Sequence, residues 1–418
     1  MEKAILIGMT FGLQRRREAE ESLEELKELT LSAGGEVVLT LLQHRDRPDS
    51  KYLLGEGKVD EVAALLETLS PEVVIFDNRL SPSQQRNLER RWNVKVVDRT
   101  QLILDIFAQR AKSREGKLQV ELAQLLFLLP RLTGKGTSLS RLGGGIGTRG
   151  PGEKKLEYER RSLRDQIVRI KNELKELSLR RSRTRENRRK SPLPVVCLAG
   201  YTSAGKSSLF NLLTREGALV SSRLFSTLDP LTRLVTLPSG LPFLLSDTVG
   251  FIRNLPIELV EAFKSTLDEI LCADLILHVV DYSSPQAKEQ AESVRSILAE
   301  ISAGQVPLLQ VNNKIDLIDS GSSLLEKNCG ERPEEVFLSV KEKLGVEDLL
   351  RSLDRMLFGN FKLYRFTLEH SKENILSSVE KKGFIVRKTA VPQGWAVEVY
   401  LKYEDMLQFF PKFTGKGD

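Results

Sequence analysis

The chain has 418 residues, 40% hydrophobic and 29% charged, the balance of a soluble globular protein with about three domains. No apolar run approaches the ~18 residues of a membrane span, and the start, MEKAILIGMTFGLQRRR, lacks the basic front of a secretory signal. The net charge of +6 is modest, and three cysteines without paired spacing (Cys197, Cys272, Cys329) predict a reducing cytoplasm and argue against a metal cluster.

Residues 1–110 read as a small α/β domain. EAEESLEELKELTLSAGGEVV predicts a helix, a glycine stop and a strand. SPEVVIFDNRLSPSQQRNLERRWNVKVVDR predicts a buried strand, a polar turn, a capped helix and another strand. Strands that alternate with helices imply a parallel sheet. Gly55–Val62 is a glycine loop opening a helix. A structural turn is the expectation there, although a helix N-terminus could take an anion.

Residues 111–190 carry two helical stripes. Leu118, Leu122, Leu125, Leu129 and Leu132 recur at steps of four and three, and so, more loosely, do Leu156, Leu163, Ile167, Ile170, Leu174 and Leu177. Two leucine-striped helices around a glycine loop predict a coiled-coil hairpin. The loop contains Gly145–Gly150, which fits the dinucleotide pattern G-x-G-x-x-G. That turn needs a strand before it, and here a helix feeds it, so the match is accidental. Its glycines, with Arg141 and Arg149, suit close approach to a flat, charged surface. From Glu153 to Lys190 there are 15 Lys and Arg against 7 Asp and Glu. The run RRSRTRENRRK reads as a basic linker, a phosphate-contacting patch, or both.

Residues 191–357 carry the chemistry. An apolar strand runs into Gly200, Tyr201, Thr202, Ser203, Ala204, Gly205, Lys206 and Ser207, which match G-x-x-x-x-G-K-S/T, and SSLFNLL then starts a helix. The loop amides and the helix dipole would cradle phosphates, with Lys206 on the β and γ groups and Ser207 on magnesium. Thr227, within Phe225, Ser226, Thr227, Leu228 and Asp229, is the expected switch-loop magnesium ligand. LPFLLSDTVGF delivers Asp247, Thr248, Val249 and Gly250. Asp247 would hold magnesium through water, and the Gly250 amide would meet the γ-phosphate. Asn313, Lys314, Ile315 and Asp316 end a further strand. A carboxylate at Asp316 accepts from both N1 and the 2-amino group of guanine, which predicts GTP over ATP. Ser339, Val340 and Lys341 would contact the base oxygen through their backbone. In this order the motifs predict a magnesium-dependent GTPase, with Lys206, Thr227 and Gly250 as its catalytic groups.

Many GTPases place a water-orienting glutamine after the D-x-x-G glycine. Here that residue is Phe251, so slow hydrolysis alone and stimulation by a partner are expected. His44, His278 and His370 are far apart and read as structural. Residues 358–418 read as a small α+β appendix.

The motifs together resemble the HflX family of translational GTPases. KYLLGEGKVDEV, VVDRTQLILDIFAQRAKSREGKLQVELAQL, GGGIGTRGPGE, GYTSAGKSSL, TLDP and DTVGFIRNLP stand in the family's order between about Leu23 and Leu357. The resemblance implies a family-specific N-terminal domain, a helical hairpin, a Ras-like P-loop GTPase domain and a small C-terminal domain. It further implies a cytoplasmic protein that binds the large ribosomal subunit and, with GTP, separates the subunits of stalled or stressed ribosomes. The glycine loop would then meet ribosomal RNA, with Arg141, Arg149, Lys154 and Lys155 as its contacts. A monomer is expected, and a peripheral membrane contact stays open. Four positions depart from the family pattern. Ser203 replaces an asparagine that helps hold potassium in related GTPases, so potassium stimulation does not carry over. Lys154 and Lys155 replace Thr-Gln, adding two cations, and Val340 replaces alanine. A switch that recruits a protein or membrane partner without RNA is the alternative. A second nucleotide on the N-terminal domain is a third possibility.

Overall fold

The computed structural model describes residues 2–12, 16–132, 151–189, 192–214, 231–248, 250–252, 269–319, 321–326 and 334–410. Contacts divide the chain into two compact units, one made mainly of residues 1–177 and the other mainly of residues 178–418.

The first unit is built on a parallel four-stranded sheet in the order β2-β1-β3-β4. Its elements are β1 (Glu2–Phe11), α1 (Arg16–Ser32), β2 (Gly35–Arg45), α2 (Glu56–Leu69), β3 (Val73–Phe76), α3 (Pro82–Trp92), β4 (Lys95–Asp98), α4 (Arg99–Arg110) and α5 (Arg114–Leu128). The sequence reading assigned no strand to the first residues, yet β1 is central and is buried continuously from Ala4 to Thr10. A strand covered on both faces has no polar alternation to betray it. Ser81 caps α3 reciprocally, its Oγ accepting from Gln84 N at 3.2 Å while Ser81 N donates to Gln84 Oε1 at 2.9 Å. At the other end of α3, Trp92 is buried, stacks on Phe76 at 6.3 Å and donates Nε1–H to the Val59 carbonyl at 3.0 Å. The buried Arg99 guanidinium pairs with Asp77 and with Glu25, each at 2.8 Å, and so ties α4 to the end of β3 and to α1. His44 Nδ1 shares a hydrogen bond with Thr10 Oγ1 at 2.8 Å, a structural role.

The leucine stripes lie on α5 and on α6 (Pro151–Arg189), except that Leu129 and Leu132 fall in a 3-10 turn that follows α5. Leu122, Leu125, Ile167 and Ile170 are buried, and Arg114 on α5 meets Glu173 on α6 at 3.2 Å. The arginine-dense run, for which a linker was one expectation, is helical through Arg189. Arg, Lys and Glu are good helix formers, so charge density does not oppose the helix. Arg141, Arg149 and the side chains of Lys154 and Lys155 lie outside the described residues.

The second unit contains a six-stranded sheet in the order β10-β9-β8-β5-β7-β6, parallel except for β6 against β7. It comprises β5 (Val195–Gly200), α7 (Lys206–Thr214), β6 (Leu231–Thr236), β7 (Pro242–Asp247), β8 (Leu275–Asp281), α8 (Ala287–Glu300), β9 (Leu308–Asn313) and β10 (Glu335–Phe337), with α9 (Val346–Phe358) after it. Strand alternation separates two cores. Leu198, Phe210, Leu245, Leu277 and Leu353 fill one face. Ala199, Tyr201, Phe251, Ile276 and Leu298 fill the other. This is an α/β Ras-like domain.

The C-terminal part is α+β, with β11 (Phe361–Leu368), α10 (Glu373–Lys382), β12 (Phe384–Val391), β13 (Gly394–Lys402) and α11 (Tyr403–Phe409). Its antiparallel sheet has the order β11-β13-β12. Phe361 and Phe384 pack edge-on against Phe358 of α9, at 5.5 and 5.4 Å between ring centres. Among the described residues no helix is long and apolar enough to cross a membrane.

Candidate nucleotide site

Four parallel strands end at one edge of the six-stranded sheet. Their register sets Leu198 beside Asp247, Gly200 beside Val279, and Asp281 beside Asn313. The carboxyl ends of such strands are where open α/β sheets take their ligands.

The phosphate loop joins β5 to α7, and two glycines shape it. Gly200 has φ +153°, and a Cβ there would stand 2.2 Å from the Val279 carbonyl oxygen. Gly205 has φ +97°, and a Cβ would meet Asn313 Nδ2 at 2.3 Å. No side chain fits either position. Ser203 also sits in the left-handed region, at φ +65°, with its side chain exposed. Lys206 opens α7 and is buried. Its ammonium donates to the carbonyls of Gly200 and Tyr201 at 3.0 and 2.8 Å, bracing the loop from inside. Burial pushes its pKa down to about 8, against the opposing pull of the Asp247 carboxylate.

Asp247 ends β7 and is itself buried, its Oδ2 accepting from Ser207 Oγ at 3.1 Å. Gly250 lies close behind Lys206: a Cβ at Gly250 would approach Lys206 Nζ and Thr202 Cγ2, each to 2.9 Å. Thr202 N donates to the Phe251 carbonyl at 2.7 Å and Phe251 N to the Gly200 carbonyl at 3.1 Å, locking the two loops together. Phe251 is 2% exposed and belongs to the apolar core with Tyr201, Ile270 and Leu298, so no polar group arises from that position. Thr248 turns away, donating its hydroxyl to the Leu198 carbonyl at 2.6 Å.

The other end is built around Asn313. Its Nδ2 donates to the Ala204 carbonyl at 2.9 Å and its Oδ1 accepts from Val340 N at 3.1 Å. Lys314, at φ +66°, pairs with Asp281 at 2.6 Å. Asp316 Oδ1 accepts from Ser339 Oγ at 2.6 Å, which orients a carboxylate able to accept from a guanine edge. Ile315 is core, packed with Leu324 and Phe337. The exposed Lys341 ammonium lies 3.9 Å from Glu342. Phe225, Ser226, Thr227, Leu228, Asp229 and Val249 lie outside the described residues.

Two supporting features escaped the sequence reading. Asp281, the partner of Lys314, was visible only as the last residue of LILHVVD. Asn312, fully buried, accepts from Gln310 Nε2 at 2.9 Å and donates to Glu335 at 2.8 Å, a polar ladder beside Asn313. One residue outside a motif, it carried no signal of its own.

Known proteins share this arrangement. Residues 195–314 match the model of the 50S ribosome-binding GTPase family, residues 20–108 the GTP-binding GTPase N-terminal model, and residues 110–188 the GTP-binding GTPase middle region. GTPase HflX of Caldanaerobacter subterraneus subsp. tengcongensis is 44% identical over 414 residues, which cover 98% of this chain and 94% of that protein. The chain belongs to the HflX family of GTPases. GTPase HflX of Escherichia coli strain K12 is likewise 44% identical, over 86% of this chain and 83% of its own. A solved complex of SsGBP with GDP superposes with a TM-score of 0.50 at 25% identity, covering 85% of this chain and 98% of that one. As an HflX-family member with a Ras-like P-loop domain, the protein binds guanine nucleotides and hydrolyses GTP. The Ser207 hydroxyl and the Asp247 carboxylate are hard oxygen donors, the chemistry a magnesium ion selects.

Proposed function

We propose that this HflX-family GTPase binds the large ribosomal subunit and, in its GTP form, separates ribosomal subunits in the cytoplasm. The match of residues 195–314 to the 50S ribosome-binding GTPase model is the observation that carries this reading. The excess of Lys and Arg along α6 supports an RNA contact through residues 111–190, with Arg141, Arg149, Lys154 and Lys155 at its glycine-loop end.

In the nucleotide domain, Gly200–Ser207 hold the phosphates, and Asn313, Asp316 and Ser339–Lys341 hold the base. Ser207 and Thr227 would hold a magnesium ion, with Asp247 beside it through water. Such an ion would supply charge neutralisation at the phosphates. Lys206 leaves the loop carbonyls for phosphate oxygens, and Gly250 presents its amide to the γ-phosphate. The apolar burial of Phe251 supports slow intrinsic turnover and stimulation by the partner. The protein acts as a monomer.

The test is a subunit-dissociation assay on purified ribosomes with GTP, GDP or a non-hydrolysable analogue. Splitting and co-sedimentation that require the triphosphate are expected, with log affinity falling by about 0.7–0.9 per unit of log salt for each phosphate neutralised. Equal binding in all nucleotide states would overturn the coupling to GTP, and no ribosome binding at low salt would leave the alternative of a non-RNA partner. Lys206→Ala is expected to abolish nucleotide binding, and Asp316→Asn to move base preference from guanine towards xanthine.

A further inference from the structure

We propose that Thr202 is a catalytic residue of this GTPase, its hydroxyl standing in for the water-orienting side chain that Phe251 cannot supply. The inference rests on the reading of Gly200–Ser207 as the phosphate loop.

Thr202 is 6% exposed, and its Oγ1 is fully shielded with no hydrogen-bond partner among the described residues. Burying an unpaired hydroxyl is unfavourable, because its hydrogen bonds to water are lost and not replaced. Such a group in a nucleotide loop calls for an explanation, and a partner met during function is one. The surroundings identify that partner. The Thr202 backbone is pinned to Phe251 through the 2.7 Å bond to its carbonyl. The methyl Cγ2 of the side chain would stand 2.9 Å from a Cβ at Gly250, and Lys206 Nζ stands at the same distance from that point. Thr202 and the Lys206 ammonium therefore both border Gly250, whose amide, like that ammonium, is assigned to the γ-phosphate.

A threonine hydroxyl both donates and accepts. In the reacting complex its O–H donates to a γ-phosphate oxygen, and its lone pair accepts from the attacking water. The water oxygen bonds to the γ-phosphorus, the bond from that phosphorus to the bridging oxygen breaks, and the electron pair leaves on GDP. The water proton passes to phosphate oxygen, and Thr202 ends the cycle unchanged. Its contribution is orientation plus one preorganised donor.

Three proteins decide the matter: wild type, Thr202→Val, which has the same shape without the hydroxyl, and Thr202→Ser, which keeps it. Single-turnover GTP hydrolysis, affinity for a fluorescent GDP, and thermal unfolding without nucleotide are measured for each. Thr202→Val is expected to lower the hydrolysis rate about 10–1000-fold. Its GDP affinity is expected to stay within about threefold of wild type, and its free form to melt at the same or a higher temperature, because an unpaired hydroxyl is removed. Thr202→Ser is expected to retain most of the rate. A Thr202→Val protein that hydrolyses GTP at the wild-type rate overturns the proposal. So does one that melts clearly lower while Thr202→Ser does not, since the hydroxyl is then structural. If wild type itself binds no GTP, the phosphate-loop reading falls first, which separates the two failures.

Discussion

Asn313 Nδ2 donates to the carbonyl of Ala204 across 109 residues of sequence, at 2.9 Å. Through Val340 N, the same side chain holds the base-contacting turn at 3.1 Å. One amide therefore joins the loop assigned to phosphate to both loops assigned to guanine.

Asn313→Ala leaves the buried Ala204 carbonyl and the part-buried Val340 N–H without partners, the first at about 1–3 kcal/mol and the second at less. A loss of about 2–4 kcal/mol in urea unfolding is expected, with GDP affinity lower by at least tenfold. Unchanged stability would show that the bond carries no weight.

Ser203 is exposed but left-handed, at φ +65°. Asparagine tolerates that conformation, whereas a β-branched residue does not. Ser203→Val is expected to cost about 1–2 kcal/mol despite touching solvent, and Ser203→Asn to be neutral or slightly stabilising. If valine proves neutral in denaturant melts, the strain is absent in solution.

Lys206 has a folded-state pKa of about 8 against an ordinary value of 10.5. The unfolded chain binds more protons between those values, so nucleotide-free stability rises as pH increases through that window. The contribution is about 3 kcal/mol. Wild type is expected to gain on Lys206→Met at pH 10 relative to pH 7.5 by roughly that amount. Parallel pH profiles would contradict a desolvated lysine.

His278 is 1% exposed on β8, and its pKa is pushed down to about 4 by burial, with Arg295 and Lys206 adding repulsion. The ordinary value is 6.5, so the unfolded chain takes up a proton first as pH falls. Stability is expected to drop by about 3 kcal/mol between pH 6.5 and 4, and less in His278→Gln. An equally steep acid limb in both proteins would place the sensitivity elsewhere.

Local chemistry made much of this protein legible in one dimension. The glycines at 200 and 205, the lysine that follows and the aspartate closing VNNKID sit at spacings that phosphate and guanine impose, and they announce a GTPase before any fold is known. The leucine stripes of α5 and α6 follow from helical periodicity in the same way. Tertiary structure alone decided that β1 is the centre of the first sheet, because a strand buried on both faces has no alternation to read. It alone paired Lys314 with Asp281, set Asn312 beside Glu335 and isolated the Thr202 hydroxyl. Those contacts join residues far apart in the chain through strand register and side-chain direction, and such geometry exists only once the sheet has closed.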